Sequence, residues 1–238
     1  MSTMPVLPLS ADEVDRLRVL RHYDILHSLR EPVFDEFVAL AARLFSLPIS
    51  LIALVDAEEV EYKANQGLPG LLSQPRVEAL CSLAISQHKA VILTDLSTEA
   101  PRLTPEAAAA AQAKNLQFYA GVPLRMPDQR DIGTLCVIDH KPRTFSTEEQ
   151  QLLENIAHLV ALTIAVRHCC TTSQELGAAH WHVVQAQLVE EIQALVALVR
   201  YLITRFGAQV PVSQSIMEPV QRRLNDIEVL LQEYPTCA

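Results

Sequence analysis

The order of elements along this chain predicts an α+β fold: an antiparallel sheet of five or six strands with helices on both faces, followed by an α-helical hairpin. Three observations carry that expectation. Apolar residues recur with helical spacing near both ends, whereas strand-length apolar or alternating runs occupy the middle. Those runs pair off around short turn-forming stretches, so they do not alternate strictly with helices as in a parallel doubly wound sheet. Neither GxGxxG nor GxxxxGKS/T occurs, so no phosphate-cradling loop is expected.

Residues 1–11 are Pro-rich and read as a disordered N-terminus. In "ADEVDRLRVLRHYDIL", Val14, Leu17, Leu20 and Ile25 share roughly one helical face. "VFDEFVALAARLF" repeats the pattern through Phe34, Phe37, Val38, Ala41, Leu44 and Phe45, with Pro32 suited to a first turn and the helix ending before Pro48. "ISLIALVDAEEVEYKANQG" reads as a hairpin: an apolar strand to Asp56, an acidic turn, then alternating Val60, Tyr62 and Ala64. A helix over "RVEALCSLAISQHK" buries Val77, Leu80, Cys81, Ala84 and Ile85, and the strand "AVILTD" follows. A mixed connection from Leu96 to Leu116 contains a plain helix at Ala107 to Ala111. "FYAGVPLRM" and "DIGTLCVID" form a second hairpin through "PDQR". Ser146 and Glu149 then stand in capping-box spacing at the start of a long amphipathic helix.

Composition narrows the function. The 238 residues are 50% hydrophobic with a net charge of -9, and the basic residues form no dense stripe, which argues against nucleic acid as a partner. No basic leader precedes an apolar core and no membrane-length apolar run is evident, so no membrane is expected and the localisation reads as cytoplasmic. The five cysteines (81, 136, 169, 170 and 237) form no CxxC or Cys/His ligand spacing. They are expected to be reduced, with Cys169 and Cys170 serving packing. The eight histidines show no HExxH or similar pattern, so no metal site is expected. Asp139 and Arg143, flanking Pro142, suggest an ion pair tying the strand exit to the long helix.

Taken in order, "RLRVLRHYDIL", "FDEFVALAARLFSLPISLIALVD", "YKANQG", "ALCSLAI", "FYAGVPL" and "IGTLCVIDHKPRTFS" resemble the GAF domain family, small-molecule sensory modules related in architecture to PAS domains. The resemblance spans residues 12 to 168, within a domain drawn at 12–170. It implies a sheet with the first, second and long helices on one face and a ligand pocket on the other, roofed by residues 76 to 118. Cys81, Asp95, Phe118, Tyr119, Thr134 and Cys136 are the candidate pocket residues. The text "DLSTEAPRLTPEAAAAAQAKNLQ" departs from the "D..DPRF..N" of many relatives and replaces polar ligand contacts by alanine. The cysteine of bilin-binding forms and the signature of cyclic-nucleotide forms are both missing. No catalytic residue and no cofactor are expected, only an unidentified small-molecule ligand.

Residues 171–238 read as a hairpin. Val189, Ile192, Val196, Val199, Ile203 and Phe206 follow a/d spacing, and Trp181, Leu188, Leu195 and Leu202 recur every seven residues beside them. After Gly207 and Pro211, a last helix carries Val220, Leu224, Ile227, Leu231 and Tyr234, with Pro219 placed in its first turn. So much apolar face suggests a homodimer with a four-helix bundle, built on Trp181, Leu188, Ile192, Leu195, Val196, Val199 and Leu202; the alternative is folding back onto the chain's own first domain. His180 and His182 lack the surroundings of phosphoacceptors and no segment of ATP-binding size follows, so kinase activity is not expected. The leading expectation is a non-enzymatic sensor of intracellular signalling that relays to a downstream protein. The alternatives are a thiol-dependent reductase resembling the free methionine sulfoxide reductases, with Cys81 and Cys136 as its thiols, and a ligand-free structural adaptor.

Overall fold

The computed structural model describes residues 10–26, 30–173 and 177–237. The expected N-terminal disorder lies outside the described residues up to position 9. Ser10 and Ala11 already belong to the start of helix α1 (Ala11–His22), whose Glu13 N–H is capped by the Ser10 hydroxyl. Helix α2 (Pro32–Leu44) begins on its proline as expected. Strands β1 (Ile49–Val55) and β2 (Glu59–Gln66) form the first hairpin, to which a short unforeseen strand β3 (Ser73–Pro75) is added. Helix α3 (Cys81–Gln87), strand β4 (Val91–Leu93), helix α4 (Leu96–Glu99) and helix α5 (Pro105–Ala113) lead to strands β5 (Phe118–Arg125) and β6 (Asp131–Asp139). The long helix α6 (Thr147–Thr172) follows, then α7 (Gly177–Phe206) and α8 (Gln214–Gln232).

The six strands lie in the order β3-β2-β1-β6-β5-β4, every neighbouring pair antiparallel. The two chemically richest strands therefore sit at or near the centre. Period two divides their residues between two apolar layers. Ile52, Leu54, Phe118, Ala120, Val122, Leu135 and Val137 face α1, α2 and α6, whereas Leu51, Ala53, Tyr119, Cys136 and Ile138 face α3 and α5. Two expected core residues are solvent-exposed. Val77 falls in a 3-10 turn (Arg76–Glu78) that breaks the helical phase before α3 begins, and α1 buries Arg16, Leu17 and Leu20, which turns Val14 outward.

Arg16 is buried because its guanidinium grips Glu13, which also receives Arg76 from the 3-10 turn that follows β3. Burial alone would raise the Glu13 carboxyl, but the hydrogen bonds from Arg16 and Arg76 outweigh it and hold the group at about 2. A folded-state value below the ordinary 4.5 stabilises the fold above that pH and is lost as pH falls from there toward 2. Acid unfolding followed by circular dichroism is expected to lose stability in that window, and Glu13→Gln is expected to flatten the dependence.

The C-terminal hairpin folds back onto its own chain. Helix α7 lies along α2, and α8 covers α6, so α2, α6, α7 and α8 form a four-helix layer within one molecule. The stripe that wins burial on α7 is Trp181, Val184, Leu188, Ile192, Leu195, Val199 and Leu202, while Val189, Val196 and Ile203 of the a/d seam are half-buried. The seam assigned to a second copy is thus occupied by α2 and α8. Pro219 lies inside α8, not in its first turn, because the helix starts five residues earlier at Gln214. Helix α6 ends at Thr172, with Ser173 as its extended cap. Polar side chains fasten the layer: Glu31 accepts from Trp181 Nε1 (2.7 Å), Gln185 Nε2 (2.8 Å) and the Arg167 guanidinium.

Two further expectations are corrected. Arg143 pairs with Glu149 (2.6 Å) and not with Asp139, whose carboxylate instead accepts the His140 N–H at 2.6 Å, since the strand exit turns that side chain back on its own loop. Cys169 is not a reduced packing thiol: it is bonded to Cys237, because the end of α8 returns the C-terminus to α6, a proximity invisible to cysteine spacing. Cys81, Cys136 and Cys170 are free and buried. Helix α6 is apolar and long enough to cross a membrane by length and composition, yet 72% of its most apolar window is buried inside the fold.

Candidate functional site

Beneath α3 and α5, the sheet presents a compact group of thiols and hydroxyls. Cys136 lies in β6, with Gly121 of β5 and Leu51 of β1 as its register partners. Thr134 precedes it on the same face, Tyr119 comes from β5 and Tyr62 from β2, and Cys81 descends from the first turn of α3. Tyr119, Thr134 and Cys136 are completely buried. Gly121 is required for this arrangement: a Cβ there would lie 2.1 Å from the Tyr119 hydroxyl, which rests over the glycine. A cavity of about 30 Å³ opens beside the cluster, lined among others by Leu51, Tyr62, Cys81, Ala111 and Tyr119.

Four of the six candidate pocket residues, Cys81, Tyr119, Thr134 and Cys136, therefore come together. Phe118 does not join them, because it neighbours Tyr119 in a strand and must face the opposite layer, where it meets Phe145. Asp95 is the exposed N-cap of α4, accepting from Ser97 N–H at 3.0 Å. Tyr62 was read only as an alternating strand residue, and that same alternation marks it as facing the pocket once β2 is paired with β1.

The environments of the two thiols push them apart. The Cys136 side chain approaches Cys81 closely enough to hydrogen-bond its thiolate, and Thr134 and Tyr119 add to this against the cost of burial, so Cys81 is held at about 7. The same hydrogen bond, together with burial, drives Cys136 well upward. Burial likewise raises Tyr62 and Tyr119, which remain protonated. The hydroxyls of Tyr119 and Thr134 are buried with no other hydrogen-bond partner, which leaves both of them to the Cys81 sulfur. The pH profile of Cys81 alkylation, read by mass spectrometry of the Cys81 peptide, is expected to have its midpoint near 7 and to move upward in Thr134→Val.

A second polar centre joins this layer to the C-terminal helices. Glu149 is fully buried; one oxygen accepts from Arg143 (2.6 Å) and from the Val212 N–H (3.1 Å), and the other accepts from the Ser146 N–H (2.8 Å), completing the expected capping box. Arg143 also donates to the Phe45 carbonyl at the end of α2, and its N–H to Thr94 O at 3.0 Å after β4. The capping spacing identified Glu149 in the sequence, but nothing there revealed that a residue 63 positions later would share it.

An antiparallel sheet with long helices on one face and a roofed cavity on the other defines a cavity-bearing type of α+β module. A GAF domain profile matches residues 30–165, more than half of the chain, and the chain belongs to the GAF domain family. It is 30% identical over 162 residues, 68% of its length, to a cyclic di-GMP phosphodiesterase of Pseudomonas aeruginosa, and spans 27% of the length of that protein. Among solved structures it is similar to the GAF domain of an Acinetobacter phosphoenolpyruvate-protein phosphotransferase, at 22% identity and a TM-score of 0.48, covering 68% of this chain and 98% of the other. A type II free methionine-R-sulfoxide reductase of Thermoplasma acidophilum matches at 20% identity and a TM-score of 0.44, covering 56% and 92%.

Proposed function

We propose that the chain is a non-enzymatic regulatory GAF module of intracellular signalling, in which the state of the cavity beside Cys81 biases the docking of α7 and α8 and is read by a downstream protein. The observation that carries this reading is the continuity from β6 to the hairpin. One face of β6 places Ile138 at the cavity, with Cys136 behind it beneath α3, and a few residues past the strand exit Arg143 binds Glu149, which holds the Val212 backbone between α7 and α8. A change in strand position at the cavity has a physical route to the hairpin linker, provided the two arrangements differ in affinity for whatever fills the cavity. The cavity is roughly tenfold below the 300 Å³ at which drug-sized ligand sites begin, which disfavours a sulfoxide amino acid or a dinucleotide as occupant. The relay runs within one molecule, so a homodimer would use a face other than the α7 stripe, and sedimentation equilibrium of the full chain tests for it.

The test of the relay uses Cys81→Met in the full chain, a modification that fills the cavity beside α3. Hydrogen exchange at residues 207–217 and along α8 is expected to rise on modification. A change restricted to α3, α5 and the adjoining strands would refute the relay.

A further inference from the structure

The chemistry of the cluster goes beyond what a relay requires. Two free cysteines lie in the layer between α3 and the sheet with Tyr62, Tyr119 and Thr134, two of whose hydroxyls have no partner but the Cys81 sulfur, and Gln74, Glu78 and Lys114 stand at the cavity. Cys81 borders the cavity whereas Cys136 lies behind it in the sheet, so the pair has an outer and an inner member. The cavity has room for one or two molecules of the size of water and for little else.

We propose that Cys81 and Cys136 form a peroxide-responsive dithiol, in which hydrogen peroxide entering the cavity oxidises Cys81 and Cys136 then closes a disulfide. This rests on the sensory reading above and names its stimulus. In the first step the Cys81 thiolate attacks one peroxide oxygen: the S–O bond forms, the O–O bond breaks, and the departing hydroxide takes up the proton released when Cys81 ionised, leaving as water. The hydroxyl of Tyr119, a residue that lines the cavity, is the donor available to the departing oxygen. In the second step the Cys136 sulfur attacks the sulfenic sulfur: the S–S bond forms, the S–O bond breaks, and the Cys136 proton leaves with the oxygen as a second water. The two sulfurs lose two electrons, and the one peroxide gains them. The contact with Cys136 that lowers the Cys81 thiol is the same contact that places the resolving sulfur beside it. Cys170 is an internal reference, because it too is free and buried but burial raises its thiol with no hydrogen bond to offset it.

The experiment is peroxide titration of the full chain, followed by alkylation under denaturing conditions and peptide mapping without reductant. A Cys81–Cys136 linked peptide is expected, with one peroxide consumed per disulfide. Cys81 should react at least about tenfold faster than Cys170, and hydrogen peroxide at least about tenfold faster than cumene hydroperoxide, which is too large for the cavity. In Cys136→Ala, dimedone should trap Cys81 as its sulfenic acid; if that variant does not fold, the wild-type map decides alone. Recovery of Cys81 and Cys136 as alkylated thiols after Cys170 has been oxidised overturns the proposal, as does over-oxidation of Cys81 without a disulfide. Hydrogen exchange on the oxidised chain separates the two readings. A disulfide that forms without changing exchange at residues 207–217 defeats the relay alone, whereas a Cys81→Met substitution that moves the hairpin while peroxide forms no disulfide in the parent defeats the dithiol alone.

Discussion

Glu149→Ala is expected to lower the thermal unfolding midpoint by roughly 10 °C. Removing this carboxylate leaves the Arg143 guanidinium buried without its counter-charge, a loss that typically costs about 3–5 kcal/mol, and for a chain of this size each kcal/mol corresponds to roughly 2–4 °C. It also deprives the Ser146 and Val212 N–H groups of their acceptor, and so loosens the start of α6 and the linker between α7 and α8 together. Arg143→Met combined with Glu149→Leu removes both charges and is expected to recover much of the loss. Calorimetry of the two variants checks the assignment: equal destabilisation by single and double replacement would show that the charge pair is not the cause. Because the same variant detaches Val212, it should also uncouple hydrogen exchange in the hairpin from modification at Cys81.

Gly133→Ala is expected to cost about 3 kcal/mol or more, for a reason unrelated to charge. Gly133 sits in β6 opposite Leu54 of β1, and a Cβ built there meets the Ala53 carbonyl oxygen at 2.1 Å, a backbone atom that cannot rotate away. The two central strands must part, and with them the register that sets Thr134 and Cys136 beneath α3. Gly70→Ala is the control: nothing lies within 4 Å of its Cβ, so only its positive φ of 82° opposes the change, at about 1–2 kcal/mol. Urea denaturation should rank the two variants in that order. A Gly133→Ala protein as stable as Gly70→Ala would mean that β1 and β6 are not paired as described.

Much of the fold was legible because the signals are local. Pro32 at the head of α2, the Ser146 and Glu149 capping box of α6 and the alternating strands around "PDQR" each state their structure within a few residues. The candidate site was legible by half. Alternation on β6 put Thr134 and Cys136 on one face, but Phe118 and Tyr119, adjacent in sequence, could not both line a pocket, and pairing with β6 decided for Tyr119. Asp95 looked polar and suitably placed, yet its carboxylate serves the turn at Ser97.

By itself the sequence determined that strands of a central antiparallel sheet carry Cys136, that Cys81 lies on the apolar face of a helix that precedes them, and that the last sixty residues form amphipathic helices. It determined also that α7 has more apolar surface than one narrow seam can cover. Only the tertiary structure decided what covers that surface, because α2 and a second copy of the chain offer helices of equal apolar character and periodicity does not distinguish between them. It likewise decided that Glu149 holds Val212, that Cys169 meets Cys237, and that Cys81 faces Cys136. Those three contacts join residues more than fifty positions apart, and their closeness is set by how whole elements pack, which no local pattern of side chains encodes.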